Sequence, residues 1–281
     1  MAAETVMTET ISHEPTIFAE PIFNIGTFPV TNSLISSWIA VILIVIVSLA
    51  IRRQISRIPR GIQNYAEVLL EGALSVADSV TGDRYKSKRF LPLALAFFLF
   101  ILVSNWLGLI PGVGSIGFNQ VHDGHAVFVP LLRGTTADLN TTLVLAIIAV
   151  VATHVFGIMF TSAWSHFNRF INLQALMAIP REIRRKNYTA VLVNPITFFV
   201  GLIEIIGEIA KTASLSFRLF GNVFAGEVLL ASMAVILAYV LPIPFVFMEI
   251  MVGLIQALIF AMLTLVFLTI MTTSHGHEEA H

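Results

Sequence analysis

VLVNPITFFVGLIEIIGEIAKTASLSFRLFGNVFAGEVLLASMAVILAY, from Val191 to Tyr239, runs without a hydrophilic turn. As one helix it would be about 73 Å long, more than twice the roughly 30 Å of hydrocarbon in a bilayer. A single upright span cannot use it all, and two spans would need a break that the sequence does not contain. The segment is therefore expected to form one very long, steeply tilted helix, partly along the membrane surface. A hairpin near 236 to 244 (ILAYVLPIP) and a returning helix should follow.

The rest of the chain is read outward from this segment. Of 281 residues 57% are hydrophobic and only 12% charged, well beyond what a soluble core requires. Spans are expected at about 34–51, 90–111, 139–160, 191–239 and 243–272, and alternating strands of a barrel are not indicated. Between the first two, Ile62, Tyr65, Leu69, Ala73, Val76 and Val80 recur at helical spacing opposite Gln63, Glu67, Glu71 and Asp78. This predicts an amphipathic helix over 61–80 lying on the cytoplasmic surface. The expected fold is thus an all-α integral membrane protein: about five membrane-embedded helices, a surface helix and a long tilted C-terminal helical hairpin. Residues 1–33 form an N-terminal tail ahead of a membrane domain over 34–281.

The net charge of −1 says little, but the sixteen Lys and Arg residues are unevenly placed. Eight fall in 52–89, as in IRRQISRIPR and DRYKSKR, and five in 161–190, as in PREIRRKN; one lies in 113–138 and none in 1–33. Basic loops stay in the cytoplasm, which puts the N-terminus and 113–138 outside and the C-terminus inside. The acidic tail lacks the basic start and short apolar core of a cleavable signal, so residue 1 is expected to begin the mature chain. The absence of cysteine excludes disulfides and thiolate-bound metal. No internal repeat stands out, and the tail HGHEEAH, with His275, His277 and His281, is expected to be disordered rather than a metal site.

Smaller features have structural readings. In SNWLGLIPG, Asn105 is expected to hydrogen-bond between helices, Trp106 to sit at the outer interface, and Pro111-Gly112 to stop the helix. In TTADLNTT, Asp138 or Asn140 can cap the third span. His154 reads either as a packed histidine or as part of a proton path.

The final two helices carry Glu204, Glu208, Lys211, Arg218, Asn222, Glu227, Glu249 and Gln256. A charge at the centre of a membrane helix costs at least about 2.5 to 3.5 kcal/mol, so such residues face a partner or a watery cavity. At about 100° per residue from Glu204, Glu208 lies near 40°, Lys211 near −20°, Arg218 near −40° and Asn222 near 0°, forming one stripe. Glu227 falls near 140°, about 13.5 Å beyond Arg218 along the axis. Glu249 and Gln256 share a face of the returning helix, and an antiparallel register puts Arg218 level with Gln256 and Glu227 level with Glu249. With straight helices Arg218 and Glu227 cannot both face that helix, so a bend near Gly221 or Gly226 is expected. Singly, Lys211 could snorkel, Glu204 and Glu208 could sit at the surface, and Gln256 could be interhelical glue. Arg218 is some twenty residues from either end of its segment, and its guanidinium cannot release its proton. A fixed charge there repels hydronium and attracts a mobile carboxylate, which must come from another chain.

FRLFGNVFAGE (Phe217–Glu227) followed by IQALIF (Ile255–Phe260) resembles subunit a of the F-type ATP synthases, with further likeness in SNWLGLIPG and TADLNTT. The resemblance implies that Arg218 is the stator arginine facing the acidic residue of each passing c subunit. It implies that Asn222, Glu227, Glu249 and Gln256 belong to an outer half-channel, and that Glu204, Lys211 and Ser214 lie near the cytoplasmic exit, with Glu208 and His154 assigned beside them. The implied partners are the c-subunit ring, b-type peripheral stalk subunits, the remaining ATP synthase, membrane lipids and protons, protons being favoured as the commoner coupling ion while sodium stays open; nucleic acid is not among them. No cofactor or metal is implied, and the implied location is a bacterial plasma (inner) membrane. Many members have histidine at one of the positions held here by Glu227 and Glu249; two carboxylates in one site are expected to share a proton. Without a nucleotide-binding glycine loop or nucleophile constellation, the chain is expected to be a non-catalytic subunit. Two other readings stay open: a proton-coupled secondary transporter, which would call for repeated halves, and an assembly scaffold, which leaves the buried charges without a purpose.

Overall fold

The computed structural model describes residues 16–53, 55–56, 61–122, 125–170, 184, 188–237 and 240–273. The His275, His277 and His281 tail and most of the basic stretch 171–187 lie outside the described residues. The elements in chain order are β1 (Pro21–Ile25), β2 (Phe28–Thr31), α1 (Asn32–Arg53), α2 (Ile62–Thr81), α3 (Arg84–Gly108), β3 (Gly117–His122) and β4 (His125–Pro130). A 3-10 turn (Thr135–Ala137), α4 (Leu139–Phe160), α5 (Ala163–Phe170), α6 (Tyr188–Ile236) and α7 (Pro242–Thr272) complete the described fold. Among the described residues five helices are long and apolar enough to cross a membrane: α1, α3, α4, Phe198–Ile236 of α6, and α7. The chain is an all-α integral membrane protein with two small hairpins.

The long segment is a single helix of 49 residues, as its unbroken apolar character demands. Pro195 lies within its first turns, and the helix ends at Ile236, six residues before Pro242 opens α7. The predicted surface helix appears over Ile62–Thr81 with Ile62, Tyr65, Val68 and Leu69 exposed, as an apolar face meant for lipid would be. The second span differs from expectation, starting at Arg84 and ending at Gly108. Its cationic first turns are still helical, and the chain then closes tight turns, Leu109 N–H to Trp106 O (3.1 Å) and Ile110 N–H to Leu107 O (3.4 Å). Gly112 takes the left-handed conformation beyond them (φ 96°).

The two hairpins and α5 were not anticipated. In PIFNIGTFPV, aromatic and β-branched residues flank Gly26 (φ 64°), and Ile25 pairs with Phe28 across the turn. The second hairpin pairs Gly117 with Pro130 through to His122 with His125. A Cβ on Gly117 would strike the Val129 carbonyl, so the close approach of the strands requires glycine there.

The residues fall into two compact units. The first comprises Met1–Asn64, Ala96–Thr142 and Arg218–Ile259. Its core includes Val30, Ala40, Phe97, Ile101, Val129, Leu219 and Ala257. Polar ties hold it as well. Asn105 donates to the Gly253 carbonyl (3.3 Å) and accepts from Thr136, and the Trp106 indole donates to the Ile250 carbonyl (3.2 Å). Asp138, not Asn140, caps α4: it accepts from Asn140 N (3.2 Å) and the Thr141 hydroxyl (2.8 Å). The same carboxylate accepts from Ser33 Oγ (3.2 Å) and Ala19 N (3.3 Å), joining α1 and the N-terminal segment to the cap.

The second unit comprises Tyr65–Leu95, Leu143–Phe217 and Phe260–His281. Alanines at 77, 94, 146 and 149 are buried, which lets helices approach closely where no hydrophobic driving force separates lipid from side chain. Phe90 is fully buried edge-to-face against Phe156 and Phe160, each at 5.5 Å, and Arg89 stacks over Tyr85 at 4.6 Å.

Asp138→Ala removes the cap and both ties at once. It should destabilise the protein by about 1 to 3 kcal/mol, read as a lower Tm of the detergent-solubilised complex, whereas Asn140→Ala should leave Tm near the wild-type value.

Candidate functional site

Two groups of polar side chains occupy the membrane helices, one in each unit. In the first unit, α6 contributes Arg218, Asn222, Gly226 and Glu227, and α7 contributes Glu249 and Gln256. Asn222 Nδ2 donates to Gln256 Oε1 at 2.7 Å, and Gln256 is buried. Four residues further along α6, and seven back along α7, Glu249 packs directly on Gly226; a Cβ there would overlap its carboxyl group. The expected antiparallel register is close to what is found, but Asn222 rather than Arg218 holds Gln256.

Glu227 departs from expectation. Its carboxylate turns to Arg133, in the loop between β4 and the 3-10 turn. Arg133 Nε lies 3.0 and 3.2 Å from its two oxygens, and Nη2 lies 2.9 Å from Oε2. The remaining guanidinium hydrogens go to Thr16 Oγ1 (3.0 Å), Phe18 O (3.3 Å) and Thr16 O (2.6 Å). Arg133 is therefore buried with all five donors used. Because Glu227 reaches the loop and not the returning helix, a bend at Gly221 or Gly226 is no longer required, and α6 is continuous through both. The Glu227 carboxylate is thus ion-paired with Arg133, while Glu249 is buried.

Both glutamates nevertheless line one cavity of about 120 Å³, together with Asn105, Val223, Leu230 and Gly253 among others. A cavity of that size admits water.

Arg218 is exposed on α6, next to buried Leu219. Ser214, one turn before it, is exposed too, while Leu215 and Ser216 are buried. A charged side chain on the outward face of an apolar helix is costly in hydrocarbon unless polar groups or water meet it.

In the second unit Glu208 is the hub. Lys211 Nζ donates to Glu208 Oε1 at 2.6 Å, one turn along α6, and stands 5.2 Å over the Phe267 ring. His154 Nε2 of α4 is 3.7 Å from Glu208 Oε2, and its Nδ1 is 3.1 Å from Nε2 of His166 on α5. In a bond between two imidazoles one nitrogen donates and the other accepts, so a proton can cross by an exchange of tautomers. His166 is buried against Gly157, where a Cβ would stand 2.8 Å from its ring. Glu204, one turn before Glu208, is half-buried.

The structure thus joins Glu208 with Lys211 and His154, and Asn222 with Gln256. It adds two residues that sequence reasoning missed. Arg133 was the one basic residue of 113–138, and that isolation was the available signal; nothing in spacing links it to a glutamate 94 positions away. His166 lies in the basic stretch after the third span, twelve residues from His154 across a turn that was not foreseen.

Gly226→Ala should push the Glu249 carboxyl out of place at a cost of about 1 to 3 kcal/mol, measured as a fall in the Tm of the purified complex. The same change at Gly221, where a Cβ meets open space, should be tolerated.

The ATP synthase A chain family matches residues 34–269. "ATP synthase subunit a" of Trichlorobacter lovleyi is 30% identical over 250 residues, covering 89% of each chain. The protein of that name from Moorella thermoacetica is 28% identical over 91% of this chain and 96% of its own. "ATP synthase subunit a 1" of Syntrophotalea carbinolica is 32% identical, covering 87% of this chain and 85% of its own. With the match reaching from within α1 to within α7, this chain belongs to the ATP synthase A chain family.

Proposed function

We propose that this chain is the proton-channel stator of a rotary ATP synthase, with two offset half-channels separated by Arg218. The observation that carries the reading is an arginine exposed at mid-helix on α6. Its charge is permanent, because guanidinium does not deprotonate even when desolvated. The counterpart that fits this face is an acidic group on a moving partner, the carboxylate of a c subunit. As each carboxylate arrives, the guanidinium favours its ionised form and so releases its proton; between arrivals the same charge bars hydronium from a direct leak.

The outer half-channel comprises Asn222, Glu227, Glu249 and Gln256, of which Glu227 and Glu249 line the 120 Å³ cavity. A proton taken up there neutralises the ring carboxylate, which can then pass through lipid without the cost of a buried charge. The exit comprises Glu204, Glu208, Lys211 and Ser214 with His154, all before Arg218 in the chain. One charge crossing 100 mV is worth about 2.3 kcal/mol, so several transfers must be summed by rotation for each ATP made.

In this reading the chain is a non-catalytic subunit of a bacterial plasma (inner) membrane, held against rotation by b-type stalk subunits. The N-terminus lies outside and the C-terminus inside. The orientation is supported by Arg52 and Arg53 at the end of α1 and by Arg84, Lys86, Lys88 and Arg89 at the start of α3.

Inverted membrane vesicles carrying the assembled complex test the reading. Arg218→Ala should abolish ATP-driven proton pumping while the complex still assembles. Full retention of pumping by an assembled Arg218→Ala complex would overturn the stator role.

A further inference from the structure

Glu227 and Glu249 converge on one small cavity, yet only one of them is open. Three guanidinium contacts of 2.9 to 3.2 Å occupy both Glu227 oxygens, and Arg133 is buried at this position. Two carboxylates around a water-sized cavity that Asn105 also lines are the raw material of a calcium-type site, which takes oxygen ligands and completes its shell with water. What prevents such a site is the fixed positive charge standing on one of its two acidic ligands.

We propose that Arg133 is a positioning residue that makes the outer cavity selective for protons over divalent cations: by clamping both oxygens of Glu227 it leaves Glu249 as the single open carboxylate. This rests on the reading of that cavity as the outer half-channel. The charged groups concerned are Arg133, Glu227 and Glu249. Asp138, on the same connection, is engaged by Ser33, Thr141 and the Ala19 and Asn140 amides. The clamp is itself held from behind. Thr16 and Phe18 take the guanidinium hydrogens that Glu227 does not, so Arg133 cannot swing away without leaving buried donors unpaired.

The test is equilibrium dialysis of the purified, detergent-solubilised complex against radioactive calcium, comparing wild type with Arg133→Gln, Arg133→Lys and the double variant Arg133→Gln/Glu227→Gln. Arg133→Gln should bind one more equivalent of calcium per complex than wild type. The double variant should lose it, and Arg133→Lys, which keeps the charge, should stay at the wild-type level. In vesicles, calcium trapped in the lumen, which corresponds to the outer face, should then suppress ATP-driven pumping by Arg133→Gln and not by wild type.

Equal binding by Arg133→Gln and wild type would overturn the proposal, as would an extra equivalent that survives Glu227→Gln. Should Arg133→Gln fail to assemble, Arg133→Met/Glu227→Met against Arg133→Met/Glu227→Asp carries the same comparison, with extra calcium expected only where the carboxylate remains. Arg218→Ala leaves this cavity intact, so failure of the stator reading shows in its pumping while the dialysis result stands or falls by itself.

Discussion

The ion pair of Arg133 with Glu227 is the constraint on which the first unit is organised. A carboxylate on a membrane helix has to be met by donors, and a buried guanidinium has five hydrogens to place. Each solves the problem of the other. The surplus donors then require acceptors, which the segment at Thr16 and Phe18 supplies. The loop after β4, an N-terminal segment and the C-terminal part of α6 are thereby fixed together by one side chain. Asp138 repeats the device close by, serving at once as a helix cap and as an acceptor for Ser33 and the Ala19 amide. Breaking either centre would leave buried polar groups unmatched, which costs more than the pair itself contributes.

The second unit handles its charge differently. Glu208 is neutralised along its own helix by Lys211, and the imidazoles of His154 and His166 extend the polar line across α4 and α5. These bonds are between side chains that can exchange protons, whereas Arg133 cannot. The Arg133–Glu227 pair therefore suits holding a fixed geometry, while the Glu208–His154–His166 line is built of groups able to exchange protons. The contrast follows from side-chain chemistry and does not depend on any motion.

Helical content, span positions and the long continuous α6 were legible in the sequence because apolar run length and period are local properties. Asn105 as interhelical glue and a cap at Asp138 or Asn140 were readable for the same reason: small polar residues beside helix ends and faces have few roles. The seven-residue spacing of Glu249 and Gln256 placed them on one face, and the antiparallel hairpin brought them close to the predicted partners. Arg133 was not legible as a partner of Glu227, since a contact between distant segments leaves no trace in periodicity. Nor were the hairpins: strands of four to six residues in a segment that looks like a tail or a loop are decided by what they pack against.

The occupation of all five Arg133 hydrogens limits how this sequence can drift. Lysine at 133 keeps the charge but leaves oxygens at Thr16, Phe18 and Glu227 short of donors; a neutral residue at 227 strands a buried cation. Neither substitution is neutral alone, while replacing both with a matched apolar or hydrogen-bonded pair removes the penalty on each. Positions 133 and 227 are thus bound to vary as a couple. The N-terminal segment is less constrained in its side chains, because two of its three acceptors are backbone carbonyls that any residue provides.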